Sequence, residues 1–338
     1  MLGVTKKSAA AKDVSLTEWP EPEIGAGQVL VAVKAAGICG TDLHIYRNEY
    51  ASNPPVILGH EVCGVVEKIG ASVDPSWRGQ RIVAETFFST CGQCRYCRTG
   101  RPNLCAERRS IGSHVNGAMT ERLTLPVQNL HRAPAALSDA AASMAEPVAC
   151  VTNSLFDDYS WIEAGDRVLV IGPGAIGLIA AQVATALGAC VTVRGTAKDG
   201  QRLELAARLG FETEIASDGT KGTDFDVAVE CAGNGLAYAD ALHATRKAGR
   251  VIQMGLSGKT ADLPVDLVCY KELQLRSGFA STPRSWRRAM QLLNDQRLHL
   301  EPLISDIIPL KDWRTGFDRS FAADGTKFVL SPEAGVTA

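Results

Sequence analysis

The sequence predicts an α/β fold in which a doubly wound parallel sheet is inserted into a β-rich domain. Three observations carry this. Residues 153–282 alternate β-type with helical runs, the pattern of βαβ units and a parallel sheet. The residues before and after that stretch share another texture, rich in Gly, Pro and Val, with short alternating runs between turns. At 338 residues the chain also exceeds what one core serves. The expected division is 1–152 with 283–338 as one domain and 153–282 as the other.

The elements follow in order. Gln28–Lys34 and Glu61–Glu67 alternate in the manner of half-buried strands. In the middle, β-type runs at Arg167–Ile171, Cys190–Arg194, Phe225–Glu230, Arg250–Met254 and Leu273–Ser277 alternate with helices at Ala175–Leu187, Asp199–Leu209 and Gly235–Lys247. A further helix is expected over Ser285–Asn294, after which Glu301–Ser305 and Lys327–Leu330 return to the first texture. An unpaired edge at Arg250–Gly255 or Leu273–Phe279 is a place where a second copy can pair.

Composition excludes several classes. The chain is 46% hydrophobic and 21% charged, with a net charge of −2, which leaves no nucleic-acid footprint. Lys6 and Lys7 are not followed by an apolar run, so no secretory signal is expected. Val168–Val193 lacks charge, but Gly172-Pro-Gly174 breaks it, and a buried strand–turn–helix explains it better than a membrane span. Ten cysteines without a signal suggest a reducing cytoplasm.

Four of those cysteines lie close together: Cys91, Cys94, Cys97 and Cys105, spaced C-x2-C-x2-C-x7-C. Four thiolates can close a tetrahedral shell around zinc, leaving no open position. Two disulfides would suit a short secreted chain better, and the iron–sulfur spacing has a shorter last gap followed by Pro. Structural zinc is the favoured reading. Cys63, Cys150, Cys190, Cys231 and Cys269 sit in apolar sequence and are expected to be ordinary buried residues.

Gly172-Pro-Gly-Ala-Ile-Gly177 directly follows a strand and opens a helix, the context in which G-x-G-x-x-G binds a dinucleotide. Gly172 permits the tight turn, Gly174 the approach of a pyrophosphate, and Gly177 close packing; Ala175 and Ile176 start the helix whose N-terminus faces the phosphates. The second strand ends without the acid that an NAD ribose prefers. Arg194, Thr196, Lys198 and Arg202 are instead candidates around a 2′-phosphate, so NADP is expected over NAD.

Gly37-Ile-Cys-Gly-Thr-Asp-Leu-His44 holds Cys39 and His44, Gly59-His-Glu61 holds His60 and Glu61, and Glu146 precedes Pro147. A catalytic zinc needs a few such ligands and one open position. These motifs, the four-cysteine loop and the Rossmann glycines, in this order, resemble the zinc-dependent medium-chain dehydrogenases/reductases over essentially the full length. Ala145-Glu-Pro147 resembles the sorbitol, polyol and threonine branch.

The resemblance implies a Rossmann-type domain inserted into a GroES-like catalytic domain. It implies two zinc ions per subunit: a catalytic one on Cys39, His60 and Glu61 or Glu146, and a structural one on Cys91, Cys94, Cys97 and Cys105. It further implies that zinc polarises an alcohol oxygen, a proton leaves through Thr41 and His44, and a hydride passes to NADP or NAD. The expected substrate is a small secondary alcohol, polyol or sugar-like, and its ketone. Threonine or a simple alcohol is the alternative, and a non-enzymatic redox sensor a remote one. A homotetramer, or a homodimer, is the expected assembly. Tyr46, Arg109, Glu121 and Phe279 are candidate pocket residues, while His114, His131, His243 and His299 match no metal motif.

Overall fold

The computed structural model describes residues 1–156, 160–216 and 224–332. The chain divides into two compact units, Met1–Glu146 with Ile304–Ala338, and Pro147–Leu303.

The first unit opens with β1 (Leu2–Lys6), β2 (Val14–Glu18), β3 (Gln28–Gly37), α1 (Gly40–Tyr46), β4 (Val56–Ile57), β5 (Glu61–Ile69) and β6 (Arg81–Ala84). The strands β7 (Phe87–Ser89) and β8 (Arg109–Ser110) bracket the single turn α2 (Arg95–Arg98). Then come β9 (Arg122–Pro126), β10 (Leu130–Arg132), α3 (Asp139–Ser143) and α4 (Ala145–Phe156), inside which the unit boundary falls.

The second unit holds β11 (Arg167–Ile171), α5 (Ala175–Ala186), β12 (Cys190–Gly195), α6 (Gly200–Arg208), β13 (Glu212–Ile215), β14 (Phe225–Glu230), α7 (Gly235–Ala244), β15 (Thr245–Gln253), α8 (Asp266–Tyr270), β16 (Gln274–Ser277) and α9 (Pro283–Asn294). Its strands are all parallel, in the order β13-β12-β11-β14-β15-β16. That is the Rossmann order, with the chain reversing direction beside β11. The helix α5 is buried along most of its length, so the uncharged stretch Val168–Val193 is strand, turn and core helix. No described helix is long and apolar enough to cross a membrane.

The return to the first unit comes at Ile304 rather than Pro283. The reason is packing. In α9, Trp286, Ala289, Met290 and Leu293 form one buried stripe at helical spacing, and Thr282 caps the helix start. The Thr152 hydroxyl donates to the Ser285 carbonyl at 2.9 Å, and the His299 amide donates to Gln182 at 2.6 Å, so this stretch closes the second unit. The expected edge at Arg250–Gly255 is also corrected: β15 pairs on both sides, and β16 is the edge.

Finally β17 (Ile304–Pro309), α10 (Trp313–Phe321) and β18 (Lys327–Ser331) rejoin the first unit. Its large sheet runs β10-β6-β5-β3-β18-β17, with β9 also on β3. Val31, Val33, Val62, Val66, Ile82, Leu123, Phe317 and Leu330 fill the core. Each such aliphatic side chain contributes about 1.5–3 kcal/mol when fully buried. Tyr46 belongs to this core, with its ring 5.9 Å from Phe317 and 5.4 Å from Phe321, rather than to a free pocket wall.

Candidate functional site

The antiparallel pairing of β3 with β5 sets Gly37 opposite Glu61. Cys39 lies two residues beyond the end of β3 and His60 one residue before β5, so strand pairing alone brings the two motifs together. Gly37 is needed here: a Cβ would stand 2.0 Å from Glu61 Oε2. Gly59 turns the chain into His60 with φ +93°, a conformation other residues rarely adopt.

Cys39 caps α1, and Asp42 supplies the other half of the capping box. Asp42 Oδ2 accepts from the Cys39 amide at 2.9 Å, while Oδ1 accepts from the Gly59 amide at 3.2 Å. Asp42 Oδ1 is also 3.8 Å from His60 Nδ1. One fully buried carboxylate thus joins both ligand-bearing turns. Ligand atoms of Cys39, His60 and Glu61 lie within 4.8 Å of one another. Glu146 is buried at the start of α4 but is not part of that group; its Oε1 accepts from the Thr86 hydroxyl at 2.7 Å.

The electrostatics fit a cation. Burial opposes a charged His60, yet Cys39, Asp42 and Glu146 outweigh it and hold the imidazole pKa well above its ordinary value. Burial also opposes a charged Lys327, and Glu61 with Cys39 reverses that and raises its pKa. Burial raises the Asp42 pKa against the pull of His60. A site in which three carboxyl groups and a thiol meet one lysine and one histidine suits a divalent ion with Cys, His and carboxylate ligands.

Thr41 and His44 lie one helical turn apart on α1. Thr41 Oγ1 is 3.8 Å from Cys39 Sγ. His44 is half-buried, and its Nδ1 is 2.8 Å from Glu49 Oε2.

The second cluster is built differently. Its Sγ atoms are 3.6 Å apart for Cys94–Cys97 and Cys91–Cys105, and 4.0 Å for Cys91–Cys97. A Zn–S bond of about 2.3 Å puts tetrahedral neighbours about 3.8 Å apart, so the spacing suits zinc; a disulfide needs about 2.05 Å. All ten cysteines are free thiols. The backbone amide of Cys97 leads the hydrogen bonds that bring the Cys94 thiol down to about 7. At Cys105 the pull of the Cys91 amide is outweighed by burial and the Cys91 and Cys97 thiols, which push it up to about 11, so it is the sulfur spacing that favours a metal here. Of the other five, Cys63 is buried, but Cys190 and Cys269 are exposed, contrary to expectation. Cys190 is the exposed first residue of β12, and Cys269 lies on α8, a helix with no buried residue.

In the second unit, Gly172 has φ +100°, and a Cβ there would press on the Ala232 backbone at 2.9 Å. Gly177 leaves no room either, with a Cβ 1.9 Å from the Gly172 carbonyl. Around Gly174 there is open space at the N-terminus of α5, where Ala175 and Ile176 begin the helix. Free amides and open space suit a phosphate.

Arg194 departs from its expected setting beside a 2′-phosphate. It is fully buried, with Nη1 2.6 Å from Asp240 and Nη2 2.8 Å from Glu214. Its guanidinium pairs with Glu214, its register partner on β13, and with Asp240 on α7, instead of reaching outward. Thr196 and Lys198 are exposed past the end of β12, with the Thr196 hydroxyl donating to Asp199 at 2.7 Å. Arg202 is 3.7 Å from Asp199. Glu121 accepts from the Leu2 amide at 2.9 Å, a fold-holding contact, while Arg109 and Phe279 are exposed.

Sequence reasoning overlooked Asp42 and Lys327. Asp42 stands three residues after a helix-capping position, a signal that was present. Lys327 Nζ is 2.5 Å from Glu61 Oε2, a contact 266 residues apart that no local pattern signals.

Residues 25–135 match the alcohol dehydrogenase GroES-like domain, and residues 175–295 match the zinc-binding dehydrogenase model. D-arabitol-phosphate dehydrogenase of Enterococcus avium is 33% identical, covering 98% of this chain and 97% of that protein. The chain belongs to the zinc-binding dehydrogenase family. This dehydrogenase is also 32% identical to sorbitol dehydrogenase of Halalkalibacterium halodurans, over 98% of one chain and 99% of the other. Several L-threonine 3-dehydrogenases match at 30% to 33% identity. A zinc-binding dehydrogenase from Sinorhizobium meliloti, solved with NADP bound, superposes with TM-score 0.88 at 31% identity, covering 98% of the dehydrogenase and 99% of that chain.

Proposed function

We propose that this dehydrogenase interconverts a secondary alcohol of the polyol or sugar class and its ketone, using NADP. The observation that carries the reading is the meeting of Cys39, His60 and Glu61 within 4.8 Å. Those three, with Glu146 in reserve, hold the catalytic zinc, and Cys91, Cys94, Cys97 and Cys105 hold a structural one. When bound, zinc supplies a Lewis acid and the nicotinamide a hydride acceptor. The chain's own part is positional and protonic. Asp42 ties the Cys39 turn to the Gly59–His60 turn and sets a carboxylate 3.8 Å from His60 Nδ1. Thr41, beside Cys39, takes the alcohol proton as it hands its own hydroxyl proton on, and half-exposed His44 accepts that proton and releases it towards solvent, with Glu49 holding its Nδ1.

The polyol class is supported by the arabitol-phosphate and sorbitol relatives. NADP is supported by the NADP-bound relative and by β12, which ends in Gly195 with Thr196 and Lys198 exposed beyond it. A panel of polyols, sugar alcohols, threonine and simple alcohols, assayed with both cofactors for reduced nicotinamide, tests the reading. The expected outcome is highest kcat/KM for a polyol with NADP. Turnover of threonine alone, or a clear NAD preference, overturns the corresponding half.

Self-association belongs to the same reading. The edge strand β16 and neighbouring α8 expose Leu275, Tyr270 and Val265. An unpaired edge with apolar neighbours supports pairing with a second copy, in a homotetramer or homodimer. Light scattering that returns a monomer overturns it. Ten free thiols support a reducing compartment such as the cytoplasm.

A further inference from the structure

Glu61 faces two cationic claimants. Lys327 Nζ lies 2.6 Å from its Oε1 and 2.5 Å from its Oε2, and donates to the Ile38 carbonyl at 2.9 Å. Both side chains are buried, so water does not screen the pair. The same carboxylate is within 4.8 Å of the Cys39 and His60 ligand atoms. Its backbone is held by the pairing of β5 with β3, and Gly37 leaves space for it. Glu146, by contrast, has a neutral donor in the Thr86 hydroxyl.

A lone pair directed at an ammonium is withheld from a metal. Two cations sharing one buried carboxylate also repel each other. Both effects weaken the hold of Glu61 on an ion at Cys39 and His60. We propose, resting on the reading of Cys39, His60 and Glu61 as a zinc site, that Lys327 is a positioning residue that keeps Glu61 a displaceable ligand. The shell then opens for substrate without losing its other ligands.

Zinc loss from the folded protein to a colorimetric chelator tests this. Replacing Lys327 removes the competing cation, so Lys327→Met should lengthen the half-time of the catalytic zinc by about fivefold or more. Cobalt(II)-substituted Lys327→Met should show absorption bands shifted towards a higher-coordinate, carboxylate-bound ion. In a Glu61→Gln background the same replacement should change the half-time less than about twofold, because there is then no carboxylate to release. Lys327→Gln keeps a donor for Ile38 and should move both readouts in the same direction, which keeps the test alive if Lys327→Met does not fold. An unchanged or shortened half-time, with a wild-type cobalt spectrum, overturns the proposal. Cys39→Ser, measured alongside, should lower bound zinc from about two to about one per chain. If it does not, the zinc reading fails; if it does and Lys327 has no effect, only the positioning role fails.

Discussion

The two candidate metal clusters of the first unit obey opposite rules. Cys91, Cys94, Cys97 and Cys105 are four like side chains from one short stretch, carried around a single helical turn with no buried residue. Cys39, His60 and Glu61 are unlike side chains on two separate turns, fastened by Asp42 and faced by Lys327 from a strand at the far end of the sequence. The first closes on itself and needs no neighbour. The second has spare charge around it, a hydroxyl and an imidazole beside it, and a carboxylate with a rival partner. On the proposed function, the complete and local cluster is the one that holds structure, and the cluster assembled by the fold is the one that turns over.

The sharpest way to break that comparison is to remove one ligand from each cluster. Cys39→Ser should lower kcat by about three orders of magnitude or more, the loss expected when a metal's charge stabilisation goes. Nucleotide affinity, read by fluorescence titration, should stay within about twofold, since the glycine turn lies in the other unit. Near-normal turnover would dissolve the distinction between the clusters. Cys97→Ser should act in the reverse sense. Structural zinc contributes to folding itself, so Tm should fall by roughly 10 °C or more, while the kcat of the surviving folded fraction changes little. A stable variant with selectively lost chemistry contradicts the assignment.

The smallest effect lies away from both clusters and serves as a control. Burial works against an ionised Asp226, but the Arg167 amide and Arg246 more than compensate, and its pKa is lowered. The Arg246 Nε to Asp226 Oδ1 distance is 2.6 Å. A depressed folded pKa means stability that is present above the unfolded value, near 3.9, and lost as pH falls through the folded one. Asp226→Asn should therefore lower Tm by about 2 °C at pH 7, and the gap should close below about pH 4. Zinc content and kcat should not move. A gap that persists at low pH would mean that the loss is one of packing rather than charge.

The legibility of these features in the sequence was uneven for physical reasons. The parallel sheet is readable where its strands are short apolar runs set between helical ones, as in β11, β12 and β14, with run length and flanking turns separating strand from helix. The strand β13, Glu-Thr-Glu-Ile and mostly exposed, carries no such signal and is not legible in the sequence. The limits of the second unit are not readable either, because α9 resembles any amphipathic helix; only the bonds from Thr152 to Ser285 and from Gln182 to His299 show which core it completes. Arg194 illustrates the same gap. A cation at a strand's end reads as a phosphate ligand, yet strand alternation turns it inward to Glu214 and Asp240.

By itself, then, the sequence determined whatever depends on neighbours along the chain. The four-thiol cluster, the glycine turn after β11, and the candidacy of Cys39 and His60 as ligands all rest on short spacings, because backbone geometry over a few residues sets what those side chains can reach. The tertiary structure alone decided what depends on distance across the fold. It put Glu61 rather than Glu146 in the Cys39–His60 group, tied both turns through Asp42, and set Lys327 against Glu61. A buried charge takes its role from whatever lies within a few ångströms, and here that company comes from opposite ends of the chain.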